Sequence, residues 1–279
     1  MPKVKNLNFL KTVNEMSEKE VKEMMFSEGD IIGERYEIQS LIGAGGMGAV
    51  YLVKDKRLNN HQKALKMILG KLLESEKAKQ RFCNEILISQ MLNHGNILRV
   101  YDYGEHGFLM YYTMEYIEGK DLREWMKEKK DKEENAKWEE IACIAMQILD
   151  GLEAAHEQTV HRDIKPENIL LTKKGNGWLV KICDFGLAQV RLEDTKLSLS
   201  VGTMGTYNYM APEQRENASK VDKRADLYSV GAIVYEALTG KAPSGFLKLP
   251  SKIREDIGKE IDDILVKALE EAPEERYQS

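Results

Sequence analysis

Residues 41–53 read LIGAGGMGAVYLV, four glycines within thirteen otherwise apolar positions. A glycine cluster lets a backbone approach phosphate closely. The spacing Gly43-x-Gly45-x-x-Gly48 suits two unrelated nucleotide folds, and the residues that follow decide between them. A dinucleotide fold needs its third glycine to open a helix whose N-terminus faces the pyrophosphate. Gly48 is followed instead by AVYLV, a β-branched and aromatic run that predicts a strand. The acidic residue expected about 20 positions on is absent, since that stretch reads HQKALKMIL. No Gly-Lys-Ser/Thr follows the glycines, which excludes a Walker loop. What remains is a hairpin turn over a nucleotide, with strands entering and leaving.

The rest of the chain divides into two characters. Residues 1–30 are polar and rich in Met, Lys and Glu, and SEKEVKEMM predicts a helix with Ser17 and Glu20 as a capping box. Strands are expected through 31–117, at RYEIQSLIG, GAVYLVKD, KALKMIL, ILRVYDYG and FLMYYTMEYI, interrupted by one helix over 76–92. Beyond Gly119 the pattern turns helical. Residues 121–140 hold 14 charged side chains, the signature of a solvated helix and loop. Ile141, Ile144, Ala145, Ile148, Leu149, Leu152 and Ala155 then recur at helical spacing. A second apolar helix is expected from 223 to 238, stopped by Gly240 as its C-cap. The reading is therefore a small β-rich half, 31–117, joined near Glu115–Gly119 to a larger helical half, 118–279.

Composition narrows the class further. A chain of 279 residues with 42% apolar content can bury a core in one two-lobed domain or two smaller ones. A net charge of −5 with no basic face argues against a nucleic-acid surface. Three widely spread cysteines predict reduced thiols rather than a disulfide framework, hence a cytoplasmic location. No apolar run approaches the ~18 residues needed to span a bilayer, and no signal core opens the chain.

A hairpin of this kind should be followed by a strand lysine for the phosphates and a helix glutamate to orient it. KALKMI offers Lys66, and KQRFCNEILISQML offers Glu85. HRDIKPENILL at 161–171 and KICDFGLA at 181–188 complete the series. With this set the chain resembles the eukaryotic-type protein kinases, and GxGGMGxVY from Gly43 to Tyr51 is similar to their bacterial Ser/Thr branch. The match runs from about Tyr36 to Ser279. It implies an α+β bilobal protein-kinase fold, with a small β-rich N-lobe carrying one key helix and a larger, mainly helical C-lobe.

The resemblance also implies roles. Asp163 matches the aspartate that accepts the substrate hydroxyl's proton, and Asn168 and Asp184 match the Mg²⁺ ligands, with Mn²⁺ as an alternative ion. Lys165 and Thr206 resemble the pair that marks Ser/Thr enzymes, Lys165 at the γ-phosphate. ATP's adenine would lie between Ile42, Val50 and Ala64 on one face and Leu170 on the other, behind it Met114. Glu115 and Ile117 would offer backbone groups to the adenine edge, and Asp121 a carboxylate to the ribose. Glu213 with Arg276, and Asp226 beneath the catalytic loop, resemble buried structural partners.

Arg162 before Asp163 is the pattern of kinases switched on by phosphorylation of the activation loop. Thr195, Ser198, Ser200 and Thr203 are the candidates, with Ser200 or Thr203 expected to be modified in trans within a transient homodimer and to pair with Arg162, aided by Arg81. Two departures bear on regulation: Gln189 stands where relatives carry a basic residue, and HGN at 94–96 replaces His-Pro-Asn. The expected partners are Ser/Thr-bearing proteins, which the peptide-docking segment GTYNYMAPE favours over small molecules. A catalytically inactive nucleotide-binding scaffold is the competing reading. The chain stops at Ser279 where relatives usually run on a little further, so it reads as the catalytic part of a longer protein whose remainder could carry sensor or membrane segments.

Overall fold

The computed structural model describes residues 26–45, 48–68, 76–107, 109–185, 206–216, 221–244 and 247–279. The helix expected at SEKEVKEMM and the four loop hydroxyls 195, 198, 200 and 203 lie outside them, as does Gln189. The chain forms two compact units. One holds the described residues up to Gln90 together with Arg99–Tyr116; the other holds Met91–Leu98 and Ile117–Ser279.

The first unit is a six-stranded antiparallel sheet. Its strands are β1 (Ile31–Ile32), β2 (Tyr36–Gly45), β3 (Gly48–Asp55), β4 (His61–Ile68), β5 (Val100–His106) and β6 (Leu109–Met114), in the order β1-β2-β3-β4-β6-β5. Period-two alternation puts Tyr36, Ile38, Ala49, Tyr51, Val53, Leu65, Met67 and Tyr111 into one apolar layer. Helix α1 (Glu76–Met91) buries Ala78, Phe82, Glu85, Ile86 and Ser89, a helical stripe along its inner side. Phe82 packs on Tyr112 of β6, ring centres 6.2 Å apart.

A charge cluster closes the β3–β4 end of this sheet. Asp55 is fully buried and binds Arg35 through both oxygens, at 2.9 and 2.8 Å. It also takes Lys63 at 2.8 Å and the Arg57 amide at 3.1 Å. Burial pushes the Asp55 carboxyl up, but the Arg35 and Lys63 hydrogen bonds outweigh it and hold it well below the usual carboxylate range.

In the second unit a small sheet carries β7 (Lys120–Asp121), β8 (Ile169–Lys174) and β9 (Gly177–Ile182). Around it stand α2 (Leu122–Asp131), α3 (Trp138–His156), α4 (Pro212–Glu216), α5 (Arg224–Thr239) and α6 (Lys259–Ala268). The predicted stripe of α3 is buried at Ile141, Ile144, Ile148, Leu152 and Ala155. Gly151 permits a close approach: a Cβ there would stand 2.9 Å from the Ile182 side chain and 3.2 Å from the Asn96 carbonyl. Helix α5 ends at Gly240, whose φ of 74° is the left-handed C-cap predicted for it.

The boundary between the units differs from a single cut. Residues expected to open the ILRVYDYG strand instead serve β9: the Leu98 amide donates to the Ile182 carbonyl and the Ile182 amide to the Asn96 carbonyl, both at 2.8 Å. Asn96 holds this segment further through Nδ2, which donates to the Val180 carbonyl at 3.0 Å and to Gln147 at 3.2 Å. The edge of β9 has backbone groups to satisfy, and the 91–98 segment satisfies them. Among the described residues, Gly95 has no neighbour within 4 Å of its missing Cβ, so the departure at HGN is not forced by packing.

Candidate active site

Register alone assembles the predicted residues of the first unit. Gly43 pairs with Val50, Val50 with Lys66, and Lys66 with Tyr112, while Ala64 pairs with Met114. Facing partners share a side, and positions two apart share it too, so Gly43, Val50, Ala64, Lys66 and Met114 occupy one face. That is the face on which Phe82 of α1 packs, through Tyr112. Glu85 lies three residues after Phe82 on the same stripe, and both Glu85 and Lys66 are buried charges, 8% and 7% exposed. Ile42 is 49% exposed, an apolar side chain open to a ligand. The Glu115 amide donates to the Arg99 carbonyl at 2.9 Å.

The glycines of the hairpin play different parts. Gly48 has a φ of 141°, and a Cβ on it would fall 1.8 Å from the Met67 carbonyl oxygen. Gly43 has no described atom within 4 Å of the corresponding point. Gly48→Ala should therefore destabilise the chain by about 1–3 kcal/mol, while Gly43→Ala leaves it unchanged, as thermal melting of the two variants will show.

The second unit holds Asp163, Lys165 and Asn168 on the turn between α3 and β8. Asp226 of α5, wholly buried, receives the amides of His161 and Arg162, each at 2.8 Å, and lies 2.8 Å from His156 Nε2. The strained backbone it holds is visible at Arg162, a non-glycine residue with φ 64°. His161 accepts the Asp163 amide on Nδ1 at 3.2 Å, so its Nε2 donates to the Cys183 carbonyl at 2.9 Å. The imidazole thus ties the 161–168 turn to the residue before Asp184.

Around Asp163 the side chains converge. Lys165 Nζ lies 2.8 Å from Asp163 Oδ2. Asn168 Nδ2 donates to the Asp163 carbonyl at 2.7 Å and to Oδ2 at 3.3 Å. The Cys183 amide donates to the Asn168 carbonyl at 3.0 Å, which sets Asp184 beside Asn168. Asp184 itself has φ 64°, a second strained position at the same place. Leu170 points away from the core that takes its neighbours Ile169 and Leu171. Asp121 is paired with Leu170 across β7 and β8 but has a local duty: it caps α2, accepting the Glu124 amide at 2.8 Å. Burial raises its carboxyl pKa. Thr206 opens the short turn Thr206–Tyr209.

Further residues, not read as functional from the sequence, join this region. Arg123, Glu167, Tyr209 and Glu236 form a connected cluster, and His156 is a partner of Asp226. Glu167 stood inside HRDIKPEN and could have been singled out; the others carry no local signal. Glu213 and Arg276 form the expected pair, with two hydrogen bonds of 2.7 Å and the arginine side chain fully buried.

A small unit with a glycine hairpin, a buried strand lysine and helix glutamate, and a larger one with this aspartate–lysine–asparagine turn, define the protein kinases. The chain belongs to that family: the protein kinase domain model matches residues 36–278. It is a eukaryotic-type Ser/Thr kinase catalytic domain. It is 33% identical over 266 residues to a probable serine/threonine-protein kinase of Clostridium perfringens, covering 90% of this chain and 37% of the relative. Serine/threonine-protein kinase A of Synechocystis is 38% identical, with 76% and 42% covered. The chain thus spans about two-fifths of the length of these curated relatives. Among solved structures, the PknI kinase domain of Mycobacterium tuberculosis is similar with a TM-score of 0.73 and 27% identity, over 91% of this chain and 95% of that one.

Proposed function

We propose that this chain transfers the γ-phosphoryl group of ATP to Ser and Thr hydroxyls of proteins. The observation that carries the reading is the Asp163 constellation. One carboxylate oxygen is held by Lys165 and Asn168, so Asp163 is oriented before any substrate arrives. It would accept the proton of the attacking hydroxyl, while Lys165 would meet the negative charge of the γ-phosphoryl group. Lys66, oriented by Glu85, would hold the phosphates under the hairpin of Gly43, Gly45 and Gly48. Val50, Ala64, Met114 and Leu170 would exclude water from the adenine, a dispersion and desolvation effect. Asp121 would reach the ribose with the oxygen its capping role does not use. Thr206 would tie Lys165 and Asp163 together.

Asn168 and Asp184 fit a magnesium ion. Both bring oxygen, as a hard cation requires. Asn168 has committed its Nδ2 to Asp163, so Oδ1 is the atom left to face a cation. Bound there, the ion would neutralise phosphate charge; manganese has the same ligand preference.

Regulation by loop phosphorylation has support of the same kind. Among the described residues Arg162 Nε is buried with no hydrogen-bond partner, and Nη2 makes one long bond, 3.5 Å, to the Val221 carbonyl. A guanidinium so poorly satisfied suits a phosphate on Ser200 or Thr203.

The test is incubation with γ-labelled ATP, Mg²⁺ and a generic basic protein, followed by phosphoamino-acid analysis and mass spectrometry of the 195–203 peptide. Phosphoserine and phosphothreonine are expected in substrate and loop. Nucleotide binding without transfer would favour the scaffold reading. Gly43→Ala is expected to weaken ATP binding at an unchanged melting temperature.

A further inference from the structure

A left-handed backbone at a non-glycine residue, as at Arg162 with its φ of 64°, persists only where its surroundings hold it. The peptide before Arg162 is held by Asp226, which takes the Arg162 amide at 2.8 Å. The peptide after it joins Arg162 to Asp163, and both of its polar ends have partners too. Its N–H donates to His161 Nδ1 at 3.2 Å, and its carbonyl accepts from Gln214 Nε2 at 2.6 Å. Gln214 is 4% exposed and lies on α4, in the run APEQ that ends the segment read as receiving a peptide. Nothing in the chemistry above uses it.

The placement of this amide gives it a task. The plane of the 162–163 peptide sets ψ of Arg162 and φ of Asp163, and with them the direction in which the Asp163 side chain leaves the backbone. Of the two bonds that hold the plane, the one to His161 is at the long limit of good geometry and the one from Gln214 is short. The donor stands on a fixed base: the Gln214 amide donates to the Ala211 carbonyl at 3.1 Å, and its neighbour Glu213 is paired with buried Arg276. Lys165 and Asn168 hold the tip of the Asp163 side chain, and Gln214 holds the backbone from which it starts. A buried amide is unfavourable unless it is hydrogen-bonded, so a packing role alone would be met by an apolar chain.

We propose that Gln214 is a positioning residue for Asp163, acting through the Arg162 carbonyl. A side chain of the same length without a donor leaves that carbonyl unpaired and one end of the 162–163 peptide unheld. The Asp163 carboxylate then departs from its line toward the acceptor hydroxyl, and transfer slows while nucleotide binding is untouched. The proposal rests on the kinase reading.

The experiment compares four forms of the whole chain on one Ser peptide: wild type, Gln214→Met, Asp163→Asn and the double variant. Gln214→Met should lower kcat about 10–100-fold, with KM for ATP within about twofold of wild type. On the Asp163→Asn background the same substitution should change kcat by less than about twofold, because a residue that acts through Asp163 has nothing left to position. Equal losses on the two backgrounds, or a single variant within about threefold of wild type, overturn the proposal. Gln214→Leu replaces the methionine variant if that fails to fold. Hydrogen exchange gives a reading that needs no activity: the amides of 161–168 should exchange about tenfold faster in Gln214→Met, while those of α5 keep their wild-type rates. Unchanged exchange over 161–168 overturns the proposal even where kcat falls. If wild type phosphorylates no peptide, the kinase reading fails, and the exchange rates still decide whether Gln214 holds the turn.

Discussion

Replacing Asp163 with asparagine lowers kcat by about 10²–10⁴-fold, the share usual for a positioned general base, and leaves nucleotide affinity unchanged. The substitution keeps shape and removes charge. Asn168 retains its 2.7 Å bond to the backbone carbonyl of residue 163, so the turn stays in place. Lys165 loses the carboxylate that now holds it at 2.8 Å, and on the proposed reading the substrate hydroxyl would lose its proton acceptor. Steady-state assays paired with calorimetric titration of ATP separate the two quantities. A variant within threefold of wild type, a factor worth about 0.6 kcal/mol in barrier, would remove Asp163 from the chemistry.

The second large effect is on stability. Asp55→Asn is expected to cost about 3–5 kcal/mol, because it leaves buried Lys63 and half-buried Arg35 without their shared anion. Lys63 is 4% exposed, so its ammonium would be left buried without that counter-charge. The pH dependence has a definite sign. The folded-state pKa of Asp55 lies below that of the unfolded chain, about 3.9. Its contribution is complete above that value and is lost as pH falls through the folded pKa. The stability gap between wild type and variant, measured by urea unfolding, should be constant near neutrality and narrow on acidification below about pH 4. A gap that widened there would contradict the assignment.

The residues that chemistry constrains were readable from the chain. Short motifs mark Lys66, Glu85, Asp163, Asn168 and Asp184, and in the structure Lys66 and Glu85 are buried while Lys165 and Asn168 gather around Asp163. Local periodicity likewise marked α1, α3 and the stop at Gly240. The charge clusters were not legible. Arg35 and Asp55 lie 20 positions apart and Arg123 and Glu236 113 apart, so no window of sequence contains both partners. Nor did the pattern reveal that Asp121 caps a helix or that Ile97 and Leu98 complete β9. Both depend on which neighbour a backbone group finds in three dimensions, and an apolar run reads the same whether it extends one strand or borders another.

That border segment has a consequence for how such a domain can change. Met91–Leu98 belongs physically to the second unit but is encoded within the first. A recombination joint between Tyr116 and Ile117 would therefore deliver a second unit whose β9 has lost its neighbour, with the Ile182 amide and carbonyl bare on an adhesive edge. A joint before Met91 keeps that neighbour but carries Arg99–Tyr116, with β5 and β6, away from the first unit. The two units can be shuffled or duplicated in evolution only as a pair, and divergence in one is constrained by eight residues inherited with the other.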